Sequence, residues 1–97
     1  MNKYSSLKRI IKIALPILRK NGAVKAGIFG SYARGEQTKD SDLDLLVRLK
    51  SGKGFFDLIR LERELKLKLN PKVDLITYNS INHLLKERIL KEEVRIL

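Results

Sequence analysis

Cysteine is absent from the 97-residue chain, which excludes disulfides, thiolate metal sites and a cysteine nucleophile together. Histidine occurs once, at His83, so any metal must be held by oxygen ligands or by that one imidazole. No apolar run approaches the roughly 20 residues that span a bilayer. The start, Met1-Asn2-Lys3-Tyr4-Ser5-Ser6, lacks the uninterrupted apolar stretch of a secretory signal, so cytoplasmic residence without membrane association is expected. Acids are missing from the first third of the chain: eight Lys or Arg residues occur up to Arg34, and no Asp or Glu. With a net charge of +10, the chain calls for an anion nearby. A nucleoside triphosphate, RNA or DNA, an acidic protein surface and a merely solvated basic face all satisfy that demand.

Repeats and low-complexity segments are also lacking, and the length suits one modest core, so residues 1–97 read as one domain. Leu7, Ile10, Ile11, Ala14, Leu15 and Leu18 recur at helical spacing, and this first helix runs to Asn21-Gly22. Pro16 lies inside it and predicts a kink or an early break. Val24 to Phe29 reads as a buried strand, Ser31 to Arg34 as a short helix, and Glu36 to Ser41 as a loop. Asp42 to Leu49 reads as a second strand. Phe55 to Leu69 follows as a helix with Phe55, Leu58, Leu61 and Leu65 inward, stopped by Asn70-Pro71. Glu62 with Lys66 and Glu64 with Lys68 are spaced for ion pairs. Val73 to Tyr78 reads as a third strand, and a last helix capped by Asn79 or Ser80 runs from about Ile81 to the C-terminus. The order is α-β-α-β-α-β-α, an α/β (α+β) domain with a small mixed sheet of about three strands flanked by helices.

Side chains two apart on a strand share a face and lie about 7 Å apart. Asp42 and Asp44 therefore point one way while Leu43, Leu45 and Val47 pack the other way. Asp74 interrupts an apolar strand, and if the second and third strands are neighbours the three carboxylates converge. Such a cluster repels itself unless a cation fills it. Hard oxygen ligands suit magnesium or manganese, and two such ions about 3.5–4 Å apart serve phosphoryl chemistry. Taken alone, the acids also fit a solvated strand edge. Gly30-Ser31, a glycine turn from strand to helix, presents backbone N–H groups and a hydroxyl to a phosphate, and Arg34 adds a planar cation one turn on.

Gly30-Ser31-Tyr32-Ala33-Arg34-Gly35, then Ser41-Asp42-Leu43-Asp44-Leu45 after a polar loop, then Asp74 on another strand, resembles the nucleotidyltransferase superfamily that includes DNA polymerase beta. Within it, the chain is similar over nearly its whole length to the minimal nucleotidyltransferases, through Val73-Asp74-Leu75-Ile76 to the segment Arg88-Ile89-Leu90-Lys91-Glu92-Glu93-Val94. The resemblance implies the nucleotidyltransferase fold, ATP as donor and two Mg2+ ions. In it Gly30, Ser31 and Arg34 bind the triphosphate, and Asp42, Asp44 and Asp74 are both metal ligands and catalytic residues. It further implies a HEPN-domain toxin as partner, modified on a tyrosine by AMP. A silent antitoxin, a nucleic-acid-binding module, or transfer to a small molecule or an RNA end are the alternatives. A last helix with Leu84, Leu85, Ile89, Leu90, Val94, Ile96 and Leu97 on a wide stripe either leaves apolar surface for a partner or is used up internally by a small core. Arg48 reads as an ion-pair partner, His83 as a cap or solvent-facing group, and Tyr32 and Tyr78 as packing residues.

Overall fold

Helix α1 (Lys3–Lys20) forms because Leu7, Ile10, Ala14, Ile17 and Leu18 make one buried stripe, while Lys8, Arg9, Lys12 and Arg19 stay exposed. The computed structural model describes residues 3–69 and 72–97. Pro16, expected to kink or end α1, leaves it continuous to Lys20. The proline is on the exposed side, and the burial of Ile17 and Leu18 immediately after it outweighs one lost hydrogen bond.

The sheet has four strands, β1 (Ala23–Phe29), β2 (Leu43–Leu49), β3 (Val73–Thr77) and β4 (Val94–Arg95), in the order β3-β2-β1-β4. Strands β2 and β3 are parallel, and β1 is antiparallel to both its neighbours. The helices are α2 (Ser31–Arg34), α3 (Phe55–Lys68) and α4 (His83–Glu92), with a 3-10 turn at Tyr78–Ser80. The expected element order is present, with one strand added. Leu43, Leu45, Val47, Ala26, Ile28, Val73 and Leu75 meet α1 and α3 in a single buried core. No helix among the described residues is long and apolar enough to cross a membrane.

The chain end departs from the expected helix. Glu93 turns extended (φ −60, ψ 133), and Val94-Arg95 pairs with β1 through Gly27↔Arg95 and Ile28↔Val94. Ala26 exchanges backbone hydrogen bonds of 3.0 Å with Ile96 and Leu97. The open edge of β1 needs partners for its N–H and C=O groups, and a β-branched tail supplies them. Val94, Ile96 and Leu97 are thus off the helix, and Ile96 and Leu97 pack on the core. The cap of α4 is Asn82, which accepts from the Leu84 N–H, because Asn79 and Ser80 are taken up in the 3-10 turn.

Helix α3 buries Leu61 and Leu65, but Phe55, expected inward, is 70% exposed. Leu58, one turn on, does pack against the core, so the covered stretch of the helix begins only after its first residues. Glu62 and Lys66 pair at 3.3 Å. Glu64 turns instead to Lys20 at 2.5 Å and to Asn21 at 3.2 Å, tying α3 to the end of α1. The Asn70-Pro71 stop lies outside the described residues.

On the sheet face opposite the core, Leu46 is also fully buried, opposite Gly27 in the ladder. Glu93 lies directly over Gly27, where any Cβ would overlap its carboxylate. The same carboxylate accepts from the Tyr78 hydroxyl, and Lys25 Nζ sits 4.3 Å from the centre of the Tyr78 ring. Burial, then the hydrogen bond and charge of Glu93, push the Tyr78 phenol up, so it remains a donor at any physiological pH. Gly27→Ala is expected to expel Glu93 and lower the melting temperature by several degrees, a loss of about 1–2 kcal/mol. Thermal denaturation of that variant beside Gly54→Ala, whose Cβ meets nothing within 4 Å and whose backbone is extended at φ −122, separates the contact from the general cost of losing a glycine.

Candidate active site

Strand β1 ends at Phe29, and Gly30 (φ 75, ψ −151) redirects the chain into α2. That conformation is open essentially to glycine alone. The turn is held by the Arg34 N–H on the Gly30 carbonyl at 3.1 Å and the Glu36 N–H on the Ser31 carbonyl at 2.9 Å. Gly35 in the left-handed region then closes α2.

Pairing places the acids against this turn. Phe29 is the ladder partner of Asp44, and Asp44 in turn is the partner of Asp74 on β3. Asp44 thus stands between the glycine turn and Asp74, as expected if β2 and β3 are neighbours. A Cβ on Gly30 would overlap Asp44 Oδ2 and lie 3.2 Å from its Cγ, so the missing side chain is what admits the carboxylate. Asp42 lies just before β2 and is exposed, as is Asp74. The starts of β2 and β3 are tied by the Leu43 N–H on the Lys72 carbonyl at 3.0 Å. The loop before Asp42 is closed by Thr38 N–H on Ser41 Oγ at 2.8 Å.

The Asp44 carboxyl is pushed up to about 6, first by burial, then by the charges of Asp74 and Asp42, with Arg34 opposing. All four groups therefore act on one spot. Arg34 donates from Nε to Glu36 at 3.0 Å and from Nη1 to Glu92 on α4 at 3.1 Å. Its guanidinium is at the site, parked on carboxylates. Burial, the lack of a Gly30 side chain and a like-charge cluster are a setting for binding polyanion with cations between.

Over residues 9–97 the chain matches the nucleotidyltransferase domain. It belongs to the nucleotidyltransferase family. A predicted protein adenylyltransferase of Methanocaldococcus jannaschii is 50% identical over 92 residues, spanning 95% of this chain and 99% of the relative. The solved structure of a predicted minimal nucleotidyltransferase superposes with a TM-score of 0.81 at 35% identity, over 97% of this chain and 95% of that one. The fold also recurs, with a TM-score of 0.65 at 22% identity, in a structure of a tri-AMPylated Shewanella oneidensis HEPN toxin in complex with its MNT antitoxin, over 98% of this chain and 71% of that one.

In this nucleotidyltransferase the six residues picked out by sequence, Gly30, Ser31, Arg34, Asp42, Asp44 and Asp74, gather at one end of the sheet. Others go elsewhere. Arg48, expected in an ion pair, makes none among the described residues. With Lys53, Phe55 and Tyr78 it lines a groove of about 390 Å³ at the far end of β2. His83 opens α4 and is exposed, and Tyr32 packs on the core. Tyr78 does more than pack, through Glu93 and Lys25. Glu92, which reaches Arg34 from 58 positions away, was not singled out by sequence, because nothing local distinguishes it from other helix-end acids.

Proposed function

We propose that the chain is a protein adenylyltransferase that moves AMP from ATP to a tyrosine hydroxyl of a HEPN-domain toxin. The observation that carries this is Asp44, half-buried against Gly30 and flanked by Asp42 and Asp74. Gly30, Ser31 and Arg34 hold the triphosphate. Asp42 and Asp44 would hold two Mg2+ ions, with Asp74 as a further ligand. The donor set is carboxylate throughout, which fits a hard divalent ion. Among the described residues no three acid or histidine side chains already close round one point, so a bound ion would have to draw the carboxylates together. When bound, the ions lower the acceptor's pKa and offset charge on the phosphates.

The acceptor oxygen bonds to the α-phosphorus while the bond to the bridging oxygen breaks. Pyrophosphate leaves with that electron pair, and the hydroxyl proton passes to Asp74. The protein's contribution is chiefly alignment and charge placement. Two things support a protein acceptor: the name of the Methanocaldococcus relative and the shared fold of the antitoxin solved with an AMPylated toxin. Leu84 (79% exposed) and Leu85 (48%) on α4 add an apolar surface beside the site.

The test is incubation of the protein with labelled ATP, Mg2+ and a HEPN-domain protein. Label is expected on the partner, and it should vanish when the partner's acceptor tyrosines become phenylalanine. Inhibition of the partner without any label would favour a silent antitoxin instead.

A further inference from the structure

We propose that the groove at the carboxyl ends of β2 and β3 docks the acceptor protein, taking from it an acidic side chain flanked by apolar ones. This rests on the protein-acceptor reading above and adds a recognition surface outside the nucleotide site. The groove, about 390 Å³, is lined by Arg48, Lys53, Phe55, Leu58 and Tyr78 among others, and no Asp or Glu is among the described residues that form it. Arg48 makes no ion pair among the described residues, and Lys53 reaches Asp57 only at 3.9 Å. Lys25, the ladder partner of Arg48, adds a third positive charge beside the Tyr78 ring. The apolar part is also unspent: Phe55 is 70% exposed and Phe56 79%, their rings edge to face at 6.2 Å. Aromatic rings and arginine are the side chains that most often carry the energy of protein interfaces. The Thr77 and Ser80 hydroxyls, bonded to each other at 2.6 Å, hold the turn on the groove's rim, so binding has little ordering to do there.

Charge selects the occupant. A second copy of this chain carries the same net charge of +10 and is repelled. A nucleic-acid backbone asks for cations spread along its phosphates, whereas here they cluster beside phenylalanine. An acidic protein segment bearing an apolar residue satisfies both halves of the groove, with arginine as the planar donor to its carboxylate. The groove is also within reach of the transfer site. Arg48 lies four residues along β2 from Asp44 on the same face of the strand, roughly 13 Å away. An ordinary protein interface buries about 800 Å² on each side, a disc roughly 16 Å in radius. A partner centred on Asp44 therefore extends over the groove whichever way it is turned.

The test is calorimetric titration of the full chain with the HEPN-domain protein of the labelling assay, beside the kinetics of transfer. Arg48→Glu and Phe55→Ala are each expected to weaken the partner's Kd and raise its KM by about tenfold, while kcat and the KM for ATP stay within about twofold. Arg48→Gln should fall between. Leu67→Ala, 78% exposed at the other end of α3, should change neither, and melting temperatures should hold because the altered side chains are exposed. Unchanged partner affinity in either groove variant, or a loss confined to kcat, would overturn the docking role. So would displacement of the partner by a single-stranded RNA oligonucleotide whose own affinity falls in Arg48→Glu, which would assign the groove to nucleic acid. If wild type binds the partner without transferring AMP, the transfer reading falls and the titration still decides the groove. If wild type does not bind it, both fall.

Discussion

Asp44→Asn is expected to abolish AMP transfer and, in the absence of metal, to make the protein more stable. The two effects share one cause. In the folded chain Asp44 is half-buried beside Asp42 and Asp74, and its carboxyl is pushed up to about 6 from an ordinary 3.8. A carboxyl whose pKa is raised by folding holds its proton more tightly in the native state than in the unfolded one. Stability is therefore unaffected by this group below about pH 4, falls as pH rises towards 6, and stays reduced above it. Because Asp44 is only half-buried, solvent screening keeps the cost at neutral pH to about 1 kcal/mol despite the displacement from 3.8 to about 6. Asparagine removes it, so a rise in melting temperature of several degrees is expected at pH 7 and little change at pH 4. Added Mg2+ should stabilise wild type and leave Asp44→Asn nearly unmoved. Transfer to the partner should fall on the order of a thousandfold or more, the scale of losing a charge-stabilising group in phosphoryl transfer. Wild-type transfer by Asp44→Asn would remove the metal role proposed for this residue.

Gly30→Ala should damage the same site from the other side. A methyl group there faces two penalties: backbone at φ 75, ψ −151, worth about 1–3 kcal/mol for any other residue, and overlap with the Asp44 carboxylate. The carboxylate would have to move, and a displacement near 1 Å at a reacting centre costs on the order of a hundredfold in rate. Gly52→Ala is the control, since φ is 94 there but a Cβ meets nothing within 4 Å. It should lose stability and keep activity. If both variants lost activity alike, backbone strain rather than the carboxylate cradle would be the cause.

How much of this was legible beforehand depends on the range of the interactions. Asp42, Asp44, Gly30, Ser31 and Arg34 declared themselves because their chemistry is carried by local spacing: alternation on a strand, and a glycine where strand turns to helix. The convergence with Asp74 was conditional, and the Asp44↔Asp74 pairing supplied the condition. Phe55 misled because helical periodicity reports which face is apolar but not how far the covered surface extends. The last residues misled for a related reason. Leu84 to Leu97 fits a helical stripe, yet the unfilled edge of β1 draws Val94-Arg95 into the sheet.

From its sequence alone, then, the chain determined its helices, its inner strands and the groups that can meet a phosphate, because each depends on neighbours a few residues away. Tertiary structure decided what distant residues do to one another. Glu93 settles over Gly27, Glu92 gathers Arg34 and Arg88, and Asp44 acquires its raised pKa. Each of these is set by burial and by charges brought from other elements, and neither exists until the chain has folded.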